Sequence, residues 1–240
     1  MKSLASNWKQ LVPKPKSRNL IVGSVGSGKS TLGCALLDGY HSDYPSHAVV
    51  IVDPKHRFVP VAPTNSALFP EGYGSRNHGR IEGVATSARL LSVVPRRGKL
   101  EGCVLIHDLG TALELFDYAF EHADVRKPVL FYNDESMDLH RNGMVDYRFK
   151  RIVQMGREKG LGHITINQRP KRIDVTLISE SERIYIGTLH NINDRRALYE
   201  TVAIADAKRL LEPMPAHVFW MVDQKDPANS RRFTLGAIDE

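Results

Sequence analysis

The stretch Asn19–Thr31, NLIVGSVGSGKST, decides how this chain is read. A short apolar strand, NLIV, runs into a loop of small residues, and the loop runs into a helical pattern. Gly23, Gly28, Lys29 and Ser30 satisfy the spacing G-x-x-x-x-G-K-[ST]. The strand–loop–helix setting gives that spacing a mechanism. The glycines let the loop curl, so that backbone N–H groups from Gly23, Ser24, Val25, Gly26, Ser27, Gly28, Lys29, Ser30 and Thr31 can converge on phosphate oxygens. The helix that follows adds the positive end of its dipole. Lys29 is expected to neutralise the β- and γ-phosphates of a nucleotide, and Ser30 to ligate Mg²⁺.

Outward from this loop the chain repeats one rhythm. The runs at 19–23, 47–53, 103–108, 128–134, 162–167, 183–187 and 217–223 are short and continuously apolar, which marks strands buried on both faces. Helical patterns lie between several of them, at 29–38, 110–123, 143–158 and 193–203. In 143–158 the residues Val145, Phe149 and Ile152 form one apolar stripe, and Gly160 and Gly162 offer left-handed geometry to stop the helix. Strands alternating with helices predict an α/β domain with a mostly parallel central sheet.

This domain is expected to span 19–223, with a basic arm at 1–18 and a tail at 224–240. In the arm, Leu4, Trp8 and Leu11 fall at helical spacing and should bury against the domain or a neighbouring subunit. The segment 62–99 breaks the rhythm and reads as a glycine-rich surface excursion, its end (89–99) as a further strand and a basic turn.

The net charge of +6 is compatible with a polyanionic partner. Two cysteines, Cys34 and Cys103, provide neither a disulfide framework nor a metal pattern, so a reducing compartment is expected. No apolar run approaches the roughly 18 residues of a membrane span.

A second chemical element lies at the end of an apolar strand, in VLFYNDES. Asp134 is expected to hold the magnesium through water, and Glu135 to polarise an attacking water at the γ-phosphate. An adjacent Asp-Glu pair, with no guanine-reading N-K-x-D downstream, favours ATP hydrolysis over a GTPase switch or a kinase.

The order of these pieces resembles the FtsK–HerA superfamily of DNA-pumping ATPases. The phosphate loop is followed by VDPK (52–55), a strand ending Asp-Glu, GREKGLG (156–162) and a strand ending NQRP (167–170). The resemblance implies a RecA-like P-loop core of the additional-strand, catalytic-glutamate type. It makes Gln168 the polar sensor of the γ-phosphate, and Arg157 the arginine that reaches the nucleotide of a neighbouring subunit. The spacing between them, 168 − 157 = 11, fits a helix end, a glycine turn and one strand. Asp53 and Lys55 match the DPK segment; Asp53 reads equally well as a residue that fixes its own turn.

The chain looks like a bare motor core, as in small viral packaging ATPases, without the extra domains of chromosome translocases or coupling proteins. It implies ATP and Mg²⁺ as ligands, double-stranded DNA as a sequence-independent partner, and a ring of five or six subunits. A capsid vertex protein and a place in the host cytoplasm or virion go with that reading. Candidate phosphate contacts to DNA are His140 and Arg141, just beyond the acid pair, and Arg96 and Arg97; Arg76, Arg80 and Lys99 are further ones. Two alternatives stand beside it: a phage assembly or export ATPase of zonula-occludens-toxin type, and a cellular or plasmid DNA pump.

Overall fold

The seven continuously apolar runs expected as buried strands are strands, and the further strand expected at 89–99 lies outside the described residues. The seven are β1 (Arg18–Val22), β2 (Ala48–Val52), β3 (Cys103–Ile106), β4 (Val129–Asn133), β7 (Leu161–Asn167), β8 (Arg183–Ile186) and β9 (Val218–Asp223). The computed structural model describes residues 8–55, 103–106, 108–135, 139–141, 143–202, 212 and 214–235, with Trp8, residues 103–105 and Arg141 described by backbone alone. Leu4, the excursion 62–99 and its arginines therefore lie outside the described residues.

Among the described residues, eight strands form one sheet in the order β10-β9-β8-β1-β7-β4-β2-β3, where β10 is Arg231–Thr234. From β8 to β3 all neighbours are parallel; β9 and β10 add an antiparallel edge. An additional strand, β7, thus lies between the phosphate-loop strand β1 and the acid-bearing strand β4, as the RecA-like reading required.

The continuous apolar runs follow from burial on two faces. Ile21, Val49, Ile51, Leu130, Tyr132, Ile164 and Ile166 pack on one side with Leu32, Leu36 and Tyr40 of helix α1 (Lys29–Asp43). Leu20, Val22, Val50, Val52 and Phe131 pack on the other. There they meet α2 (Leu109–His122), α3 (Tyr147–Lys159), α4 (Val175–Glu180) and α5 (Ile192–Thr201). Gly33 of α1 lies so close to the sheet that a Cβ there would meet Tyr132 Oη at 2.6 Å and Ile166 Cδ1 at 2.7 Å.

Four expectations need correction. Helix α1 runs five residues past 38, because Tyr40 is a further fully buried core residue. Helix α3 begins at Tyr147, not 143. Asp146 caps it by accepting from Arg148 N at 3.0 Å, while β5 (His140–Arg141) and β6 (Met144–Val145) pair as a short hairpin. Val145 is buried in the expected core, but it arrives there from β6. Gly160 does end α3, at φ 87°; Gly162 does not. It sits inside β7, where a Cβ would lie 2.8 Å from Ser17 O. Finally, the boundary at 223 cuts the sheet. β10 pairs with β9, and Phe233 stacks on Phe219 at 5.9 Å. RRFT carries a single apolar residue because an edge strand has little to bury. At the other end, Leu11 and Val12 of the arm are buried against the α1 face.

The face opposite α1 also buries polar groups. His163 is fully enclosed, its Nδ1 3.0 Å from Thr165 Oγ1, which accepts from Asn133 Nδ2 at 3.2 Å. Burial, with Arg18 nearby, pushes the His163 pKa down from 6.5 to about 3. The folded state then binds fewer protons than the unfolded state between these values, so stability is intact above 6.5 and is lost as pH falls through the window. Between pH 6.5 and 5 the expected loss is about 2 kcal/mol. Denaturant titrations at the two pH values measure it, and His163→Asn, which takes up no proton, should show a shallower loss.

Candidate active site

The parallel strands place their C-terminal ends along one edge, where an open α/β sheet binds its ligands. The phosphate loop leaves β1 there and is tied to the end of β7 and to the segment just past β8. Gly23 N donates to Asn167 O at 3.3 Å, and Ser24 N to Thr188 O at 2.7 Å. Gly26 and Gly28 have φ of 77° and 90°, in the left-handed region that a glycine enters without strain. A Cβ on Gly23 would lie 2.5 Å from Ser27 Oγ, so a larger residue there would displace the Ser27 side chain.

Lys29 opens α1 and is 7% exposed; its Nζ donates back across the loop to Ser24 O at 2.7 Å. Ser30 follows in the first turn. A buried ammonium inside a ring of backbone N–H groups is a donor set for a polyphosphate. Ser27 Oγ, buried and without a hydrogen-bond partner among the described residues, is one more donor facing into the curl. The residues present fit a magnesium nucleotide.

The acids stand two strands away. β4 ends at Asn133, level with Thr165 of β7 on one side and Val52 of β2 on the other. Asp134 is buried, and its N–H donates to Val52 O at 3.0 Å. Asp53, at the end of β2, is wholly buried too. Burial foremost, then the charges of Cys34, Asp134 and Asp53, raises the Tyr132 pKa, so its hydroxyl stays protonated.

Glu135 adopts φ 81°, a conformation uncommon for a residue with a side chain, and is 9% exposed. Gln168, one residue beyond β7, donates its Nε2 to Glu135 Oε2. Lys55, beyond β2, donates its Nζ to the same oxygen at 2.6 Å. The structure therefore brings Lys29, Asp134, Glu135 and Gln168 to one edge, and adds Lys55 to the acid. Nothing in the local sequence around Lys55 announces that pairing. It depends on β2 lying beside β4, an adjacency between residues 80 positions apart.

Arg157 lies elsewhere. It is in the last turn of α3, which precedes β7, so it sits at the opposite edge of the sheet from the phosphate loop. The seven residues of β7 alone span about 20 Å. Its side chain is 58% exposed, with only a 3.8 Å approach to Glu182 Oε1, a carboxylate that Lys225 Nζ meets at 2.8 Å.

His140 is partly occupied by the fold. Its Nε2 accepts from Asp174 N at 3.2 Å and joins the β5–β6 hairpin to the start of α4. Arg141 belongs to the same hairpin by its backbone.

This sheet order and this loop make up the P-loop NTPase fold of the RecA-like, additional-strand kind. The structural likeness is more particular than that class. The genome packaging NTPase B204 of Sulfolobus turreted icosahedral virus 2, solved with AMPPCP, superposes with a TM-score of 0.66 at 15% identity, over 92% of this chain and 98% of that one. The pCW3 conjugation coupling protein TcpA, with ATPγS, gives 0.55 at 12% identity, over 91% of this chain and 60% of its own. The cytoplasmic domain of the type VII secretion ATPase EccC from Thermomonospora curvata gives 0.57 at 11%, over 93% of this chain and 24% of its own. At such identities the likeness is one of fold. No family model matches the sequence, and a search of curated proteins finds no match.

Proposed function

We propose that this chain is an ATP hydrolase that drives double-stranded DNA, as one subunit of a ring, and that it packages a viral genome into a preformed capsid. The observation that carries the reading is the arrangement at the strand ends. A phosphate loop on β1 and an acid pair on β4 flank Gln168, which comes from the strand between them and is already bonded to Glu135. The likeness in fold to a protein named as a genome packaging NTPase, nearly end to end, supports the packaging task.

Each residue then has a role. The loop 23–31 and Lys29 hold the phosphates. Ser30, and Asp134 through water, would hold Mg²⁺, which contributes charge to offset the developing negative oxygens. Glu135 takes the proton of the attacking water. Gln168 senses the γ-phosphate beside it. Arg157 serves a neighbour's nucleotide, a role that its exposure at the far edge supports. The ring holds five or six such subunits and meets a capsid vertex protein, in the host cytoplasm or virion. DNA is gripped through its phosphates, with the hairpin of His140 and Arg141 the nearest candidate and Arg96 and Arg97 further ones. No helix among the described residues is long and apolar enough to cross a membrane.

The test is ATP turnover with and without double-stranded DNA over a range of protein concentrations; both additions should raise the specific rate. Arg157→Ala should bind ATP normally and hydrolyse it roughly a thousandfold more slowly. Mixed with Glu135→Gln protein it should regain activity, since one subunit brings the arginine and the other the acid. Wild-type turnover by Arg157→Ala alone would remove the trans mechanism. Turnover indifferent to DNA would favour the second reading, an assembly or export ATPase, which the likeness to a secretion ATPase makes specific.

A further inference from the structure

Glu135 is held from both sides. Gln168 reaches it from β7, between the acid and the phosphate loop, and Lys55 reaches it from β2, on the side away from that loop. Both donate to Oε2, and the carboxylate is almost fully enclosed. The backbone of Glu135 is in the left-handed region, a conformation that surrounding contacts must impose on a residue with a Cβ. Oε2 already accepts from an ammonium and an amide, which leaves no place on that oxygen for an attacking water. Of the two tethers, the one from Lys55 comes from the side away from the phosphate loop, and so opposes a shift of the acid toward that loop.

We infer that Lys55 is a positioning residue which holds Glu135 in a resting place, and that binding of a magnesium nucleoside triphosphate must open the Lys55–Glu135 pair. This rests on the proposed role of Glu135 as the hydrolytic acid. Gln168 is the element that changes partner. When its amide turns to the γ-phosphate, Glu135 loses one of its two tethers, and Lys55 is the remaining one. Part of the binding free energy of nucleotide is spent in breaking it, so the pair lowers the apparent affinity of the resting chain.

The inference has a sign that a simple attraction between Lys55 and phosphate would reverse. Equilibrium binding of Mg·ATPγS, with no DNA, is the measurement. Lys55→Met should tighten binding about fivefold, the value of a half-exposed ion pair. Lys55→Arg should keep the wild-type affinity. In a Glu135→Gln background the same Lys55→Met change should have little effect, because the charge it restrains is gone. Weaker or unchanged binding by Lys55→Met would overturn the inference, as would a fivefold gain that persists in the Glu135→Gln background. Because the readout is binding, it stands even if DNA fails to stimulate turnover; that result would count against the proposed motor alone.

Discussion

Lys29→Ala protein should lose nucleotide binding by about a hundredfold or more while keeping its fold. Lys29 is the loop's only cation, and its ammonium is buried against the loop's own carbonyl at Ser24. Charge-assisted hydrogen bonds to phosphate are worth about twice neutral ones, and an ammonium meeting two phosphates makes more than one. Lys55, at the same edge, is already paired with Glu135. Titration with a fluorescent ATP analogue gives the affinity, and circular dichroism gives the fold. Near-normal affinity in Lys29→Ala would mean that the loop does not carry a triphosphate in the way its spacing requires.

Glu135→Gln should separate binding from chemistry. The amide is isosteric with the carboxylate, so Gln168 keeps a partner and the site keeps its shape. A neutral amide takes no proton from water, and general-base assistance is typically worth about 10²- to 10⁴-fold. Turnover should fall by that much with nucleotide affinity equal to or tighter than wild type. Single-turnover hydrolysis beside an affinity titration checks both halves. A parallel loss of affinity would point to a role for Glu135 in holding the metal.

Much of this site was legible as residues and little of it as contacts. The loop Gly23–Thr31 is local in sequence and local in space, so its spacing was enough. Asp134 and Glu135 were found because they end an apolar run, and a strand end in a parallel sheet is a site edge. Gln168 was singled out by the motif order, and the structure adds its bond to Glu135, which no local pattern shows. Lys55 was seen only as a member of DPK. Its role depends on which strand neighbours β4, and no local pattern encodes lateral order. Strand β6 was absorbed into a helical stripe because its Val145 buries toward the same core as Phe149 and Ile152.

The sequence alone determined the phosphate loop, the seven strands buried on two faces and the class of sheet they build. Each rests on a local rule: a strand covered by helices on both sides must be apolar at successive positions, whichever neighbour it has. Only the tertiary structure decided that Lys55 and Gln168 meet on one oxygen of Glu135, and that RRFT closes the sheet as an antiparallel edge. Those outcomes depend on how distant segments pack side by side, and the physics that fixes them acts across the sheet, not along the chain.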